Sequence, residues 1–204
     1  IAADADQIER DRRLPQALAD ERADAGLLKM FVPKDYGGSE LTPEQFLLVI
    51  EELAKVDGSC AWVVSLLACN GISAGYLPPH VSREMFSGAR AGLAGSLAPT
   101  LRGPDDPPNQ AHVVDGGYRL SGSWSFASGC MHATLLMPCC ITYADGEPRR
   151  HADGRPEQRW FYFPVHDSRI VEDWNTIGLR GTGSHSFVVD DLFVPHEHTL
   201  PATA

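Results

Sequence analysis

The sequence predicts an α+β protein, with an N-terminal helical domain over residues 1–88, an antiparallel β-barrel or sandwich domain over 89–195, and a tail over 196–204. Three observations predict it. Apolar residues recur at helical spacing in the first part, as in Phe46, Val49, Ile50 and Leu53. Beyond Gly88 that period gives way to short apolar runs punctuated by Gly, Pro and Asp, the texture of a β domain. The content of hydrophobic residues, 43% of 204, is enough for a sizeable core.

Taken in order, Asp4 to Arg13 is charged and helix-prone, and Leu14-Pro15 breaks it and restarts a helix with Pro in the first turn. Gly26 ends this second helix. Leu27 to Val32 is apolar until Pro33, and Asp35-Tyr36-Gly37-Gly38 reads as a turn that reverses the chain. Thr42 is a good N-cap with Pro43 at the first helical position, and the helix that follows runs to Asp57-Gly58. Ser59 is then expected to cap a helix from Cys60 to about Tyr76. That segment is apolar on nearly every side, which predicts burial between other helices or subunits and hence a homo-oligomer. Pro78-Pro79 ends it, and His80 to Phe86 forms a short amphipathic turn. Strands are expected at Gly92–Ala98, Ala111–Val114, Tyr118–Phe126, Leu135–Tyr143, Arg159–Val165, Ser168–Glu172 and Ser186–Val194. Two polar stretches, Arg102–Gln110 and Ala144–Glu157, read as exposed, mobile loops.

A formal charge of −10 and the absence of a basic patch argue against a nucleic-acid partner. The longest apolar stretch, near Ala61 to Ala68, is too short to span a bilayer, and the first residues do not form a signal peptide, so no membrane partner and a cytoplasmic location are expected. Five cysteines are an odd count without framework spacing and predict reduced structural thiols. His196 and His198 point apart on an extended chain and lack nearby ligands, which makes a metal site there an unfavoured reading.

The most informative stretch is Tyr118 to Ala133, Y-R-L-S-G-S-W-S-F-A-S-G-C-M-H-A. It begins as a strand and then sets Trp124 and Phe126 beside small residues. Ala127, Ser128 and Gly129 would let backbone approach a flat ligand, with Phe126 as an apolar face and Ser128 as a hydroxyl at the strand edge. An ordinary bent strand edge, its hydroxyl satisfied by backbone, fits the same residues. With W-S-F-A-S-G-C-M-H-A are found G-L-R-G-T-G-S at Gly178 to Ser184, V-P at Val194-Pro195, and P-Q-A-L-A-D-E-R-A-D-A-G-L-L-K-M-F-V-P-K-D-Y-G-G from Pro15 to Gly38. These blocks, in this order, resemble the flavin-dependent monooxygenases with an acyl-CoA dehydrogenase fold, the oxygenase components of two-component systems.

The resemblance implies reduced FAD or FMN as cofactor, a separate flavin reductase as partner, and hydroxylation of an aromatic or polyketide-like small molecule through a C4a-hydroperoxide. It places Phe126 against the isoalloxazine and Ser128 at its N5 and O4 edge, with Ser96, Leu97 and Thr182 as further flavin contacts and Ser184 near the cofactor. His132, in the same block, becomes a catalytic candidate, although a lone His is more often structural. Asn70 stands where phenol-hydroxylating relatives often carry a substrate-facing His, and Trp174 fits either core or pocket wall. Of the T-E-P-x-x-G-S-D signature of the dehydrogenases only the Pro survives in Gly95 to Thr100, which weakens an acyl-CoA dehydrogenase-like alternative. Arg102 is a loop residue as compatible with solvent as with a phosphate. Gly178 to Ser184 leads into a strand-like run, so a tight turn or bulge of the β domain fits it better than a phosphate cradle. Family members continue after V-P into a helical bundle, so the resemblance implies either that a bundle lies outside this sequence or that a truncated, non-catalytic binding member has arisen.

Overall fold

Five α-helices precede the sheet among the described residues: α1 Ala5–Asp11, α2 Gln16–Asp24, α3 Pro43–Ala54, α4 Gly58–Asn70 and α5 Pro79–Phe86. The computed structural model describes residues 1–96 and 109–202, so the expectations placed on Leu97, Ala98 and Arg102 lie outside it. Helix α3 begins as its sequence dictates. Thr42 accepts from the Gln45 amide while the Gln45 side chain accepts from the Thr42 amide, a reciprocal capping box with Pro43 at the first helical position. Helix α4 is capped two residues earlier than Ser59 would allow. Asp57, in an extended conformation, accepts from the Cys60 amide at 2.7 Å, and its carboxylate outcompetes a hydroxyl that lies inside the helix. The α-helix stops at Asn70 and continues as a 3₁₀ turn, Gly71–Gly75, instead of running as one helix to Tyr76.

Gly58–Gly75 is nonetheless long and apolar enough for a minimal membrane span, with mean hydropathy 1.3 over 18 residues, which corrects the sequence-based length argument. More than half of this stretch, 56%, is buried inside the protein. Its Cys60, Val63, Val64, Leu67 and Ala68 enter the core, whereas Trp62 and Ile72, and Tyr76 just beyond it, are exposed.

The strands are β1 Leu93–Ser96, β2 Gln110–Val114, β3 Gly117–Trp124, β4 Leu135–Ala144, β5 Glu147–Pro148, β6 Gln158–Phe161, β7 Phe163–Pro164, β8 Arg169–Val171, β9 Ser186–Pro195 and β10 Thr199–Pro201. The sheet order β10-β6-β4-β2-β3-β9-β8 is mixed rather than antiparallel, because β1 and β2 both run parallel to β4. Side-chain alternation reports a strand's faces and not its direction, so the sequence left this unseen. Strand β4 organises the sheet. Its first half, from Leu135, pairs with β1 and β7, and its second half pairs with β2 and β6. Leu135 to Cys140 is buried without interruption, as a strand covered on both faces requires.

Within the tail, β10 pairs with β6. Two further expectations change. The strand opened by Tyr118 ends at Trp124, leaving Phe126 in a turn at φ 62°. Ala144–Glu157 is not wholly loop, because β5 and a bridge between Arg150 and Pro156 lie inside it; likewise Gln110 begins β2, and Asn109 is buried, exchanging hydrogen bonds with the Ser123 backbone. All five cysteines are free thiols. Burial pushes Cys60 and Cys139 up to about 11 and Cys130 up to about 12, so these remain in the thiol form at neutral pH.

Helices and sheet share one core. Ile8, Leu18, Val64 and Leu67 pack in the same cluster as Ala111, Leu120, Trp124 and Phe187. Trp124 stacks on Phe187 at 5.3 Å and donates its indole hydrogen to the Cys139 carbonyl, which anchors the end of β3 above β4.

Candidate active site

The end of β3 opens into a cleft of about 440 Å³ between α4, β1 and the segment around residues 174–184. Helical spacing puts Trp62, Leu66 and Asn70 on one side of α4 facing it, while Met137 from β4 and Gly95 and Ser96 from β1 complete the floor. Phe126 and Trp174 stand edge to face at 6.0 Å on the opposite rim, and Phe126 is 66% exposed. The backbone around Ser128 is fastened to the strand-entry segment. Ala127 N donates to His185 O at 3.1 Å and Gly129 N donates to Thr182 O at 2.9 Å. Ser96 Oγ donates to Ser125 O at 2.7 Å, joining β1 to the same turn.

Of the tight turn or bulge expected here, the structure has the turn, a 3₁₀ turn over Arg180–Thr182 that joins the two layers. A Cβ on Gly181 would overlap Ile8 Cγ2 of α1 and come within 3.0 Å of Ser59 Cβ of α4. Only a glycine lets the turn sit between those helices. Leu179, in a left-handed conformation, directs its carbonyl to three donors: the Thr182 amide at 3.2 Å, the Thr182 hydroxyl at 2.9 Å and the Trp174 indole at 3.1 Å. Trp174 is held from its backbone as well, donating N–H to His185 Nδ1 at 3.0 Å and accepting from Arg12 at 2.8 Å. Desolvation lowers the His185 pKa, consistent with a neutral ring whose Nδ1 accepts. Burial raises the Asp173 carboxyl, but hydrogen bonds from the Ser186 hydroxyl and amide outweigh it and leave the group below its usual range.

Ser128 is not an edge hydroxyl. It is buried, accepts from Trp62 Nε1 at 3.1 Å and lies 2.6 Å from Ser184 Oγ, which in turn lies 2.7 Å from Thr182 Oγ1. The structure therefore brings Asn70, Ser96, Phe126, Ser128, Trp174 and Thr182 to a single cleft, while Leu97 lies outside the described residues. His132 is elsewhere. Its ring faces a separate hollow with Gln16, Asp20 and Arg90, and neither ring nitrogen has a hydrogen-bond partner among the described residues. Burial, with the Arg13 charge second, lowers its pKa. The run from Ser128 to His132 turns back at Gly129, at φ 74°, which sends the two side chains to different sides.

Sequence reasoning missed Trp62, because on a helix apolar on nearly every side nothing marked its face, whereas Ser184 joins Thr182 in the cleft, the two residues lying two apart before a strand so that both hydroxyls share one side. Asn70 donates to Leu93 O at 2.9 Å and borders both the cleft and a second hollow of about 530 Å³ lined by Tyr76, Trp160 and Tyr162.

Residues 1–84 match the acyl-CoA dehydrogenase N-terminal domain. The chain is 32% identical over 200 residues to an indole-3-acetate monooxygenase of Acinetobacter baumannii, covering 96% of this chain and 47% of that protein. It is 32% identical over 191 residues to the flavin-dependent monooxygenase oxygenase subunit HsaA of Mycobacterium tuberculosis, covering 93% of this chain and 44% of that protein. The structure of XiaF from a Streptomyces species, in complex with FADH2 and glycerol, superposes with a TM-score of 0.85 at 28% identity over 98% of this chain and 48% of that one. The chain thus spans about half the length of the relatives it matches. Over nearly all of its own length the chain is therefore similar to the oxygenase subunit of a flavin-dependent monooxygenase, and its first 84 residues match the acyl-CoA dehydrogenase N-terminal domain.

Proposed function

We propose that this chain forms the flavin-facing part of an oxygenase that takes reduced FAD or FMN from a separate flavin reductase and hydroxylates an aromatic small molecule. The observation that carries the reading is the convergence of Phe126, Trp174 and Trp62 as flat apolar walls with the hydroxyls of Ser128, Thr182 and Ser184 at one edge of a single cleft. A planar, amphipathic ring with polar atoms along one edge fits that arrangement. Reduced flavin, when bound, supplies the two electrons with which O₂ is activated.

The chain's own residues bind, orient and keep dry. Ser128 would hold the polar edge of a bound flavin ring, Phe126 and Trp174 would cover its face, and Leu66 and Met137 would exclude water from the same space. Asn70, where the cleft adjoins the second hollow, stands at the place from which an aromatic substrate approaches. His132, outside the cleft, has no part in this reading.

The test is reconstitution of the complete gene product with a flavin reductase, FAD or FMN, and a panel of phenols and indoles under ¹⁸O₂. Substrate-dependent incorporation of one labelled oxygen is expected. Bulk flavin oxidation without labelled product, together with no binding of reduced flavin, would overturn the reading.

A further inference from the structure

An indole N–H only donates and a carbonyl oxygen only accepts, so the chain of hydrogen bonds from Trp62 to Leu179 has fixed ends. Trp62 Nε1 donates to Ser128 Oγ at 3.1 Å, and Thr182 Oγ1 donates to Leu179 O at 2.9 Å. Once the Thr182 hydrogen is committed to the carbonyl, Ser184 must donate to Thr182 at 2.7 Å and Ser128 must donate to Ser184 at 2.6 Å. The opposite order turns the Thr182 hydrogen away from Leu179 and loses a bond. Ser128 therefore presents a lone pair to the cleft, and its own hydrogen points inward.

Resting on the flavin reading above, we propose that Ser184 and Thr182 are positioning residues that make the cleft select the flavin protonated at N5, the reduced form, over the oxidised form. The reduced ring carries a hydrogen at N5 that Ser128 can accept. The oxidised ring carries only a lone pair there, and two acceptors would face each other. Binding the oxidised form requires the hydroxyl order to reverse at the expense of the Thr182–Leu179 bond. One neutral hydrogen bond corresponds to a preference of about fivefold, larger where the cleft is dry. A site built this way takes up a carrier that arrives reduced and lets go of it once oxidised.

The experiment is equilibrium dialysis of the complete gene product with FAD and with FMN, each oxidised and, under anaerobic conditions, dithionite-reduced. The parent is expected to bind the reduced form at least about fivefold more tightly. Ser184→Ala frees the Ser128 hydrogen to turn into the cleft, so oxidised flavin is expected to bind more tightly than in the parent and the ratio to fall about fivefold. For the two-electron couple this lowers the potential of the bound flavin by about 20 mV. Thr182→Val is expected to act in the same direction and Thr182→Ser to keep the parent ratio, whereas general damage would weaken both forms alike. A parent that binds both forms equally overturns the proposal without any variant. Unchanged ratios in Ser184→Ala and Thr182→Val overturn it as well. A parent that binds neither form overturns the flavin reading itself, and the proposal with it.

Discussion

Gly181 offers a quantitative check on how the cleft wall is mounted. Its φ is not in the left-handed region, so Gly181→Ala adds a methyl without backbone strain, and the effect reports packing alone. The added Cβ would overlap Ile8 Cγ2 and lie 3.0 Å from Ser59 Cβ. Ile8 is fully buried, and its Cγ2 branches directly from Cβ, so it cannot swing aside unless α1 moves. Overpacking of this kind costs about 1–3 kcal/mol. Ile8→Ala removes the obstructing methyl and by itself costs about 2–5 kcal/mol through lost burial and a cavity. In the double variant the new methyl enters the vacated space, so the loss should fall short of the sum by about 1–3 kcal/mol. Urea unfolding followed by tryptophan fluorescence, completed as a double-mutant cycle, measures this coupling. Additivity within about 0.5 kcal/mol would refute the idea that this turn is wedged between α1 and α4.

Other expectations follow from the same geometry. Ser128→Ala leaves the half-exposed Trp62 indole to find water, so stability should drop by about 1 kcal/mol, or about 2–4 °C in Tm, while reduced flavin binds about fivefold more weakly; unchanged reduced-flavin affinity would remove Ser128 from the site. His132 and His185 both have pKa values held below the ordinary 6.5, so below that pH the unfolded chain binds more protons and stability falls as pH drops from 7 to 5. Thermal melts should show His132→Gln to be less acid-sensitive, and an identical slope would sink the assignment. The exposed apolar side chains of Ile72 and Tyr76 should drive self-association of the 204-residue chain at micromolar concentration, which light scattering would detect and a monomer would contradict.

Much of the helical layer was legible in the sequence because its signals are local. Thr42, Pro43 and Gln45 sit within one turn, and the geometry of a cap follows from them alone. Asp57 and Ser59 show the limit, since both residue types cap helices and only the backbone conformation decides between them. The sheet was legible as strands but not as an arrangement, because pairing β1 and β2 alongside β4 is a matter of direction that alternation does not encode. In the cleft, the meeting of Ser128 with Ser184 across 56 positions was accessible only through resemblance to whole blocks, and the resemblance did not reach Trp62. His132, a chemically attractive residue in the same block, lines a separate hollow with Gln16, Asp20 and Arg90, and nothing in the local sequence marks that separation.

Strand β4 gives the cleft an unequal pair of boundaries. A strand hydrogen-bonded along both edges in both halves cannot slip in register or fray without breaking several neighbours at once, so Met137 sits on a firmly held floor of the cleft. The facing boundary, from Trp174 to Thr182, is held by side-chain and turn contacts instead of a strand ladder: Trp174 bonds to His185 and Arg12, Arg180 to Glu9 O, and Gly129 N to Thr182 O. A ligand entering such a site is gauged against a fixed floor, and the adjustment to its thickness falls on the other side, where Leu179 and Trp174 can yield together because one carbonyl ties them.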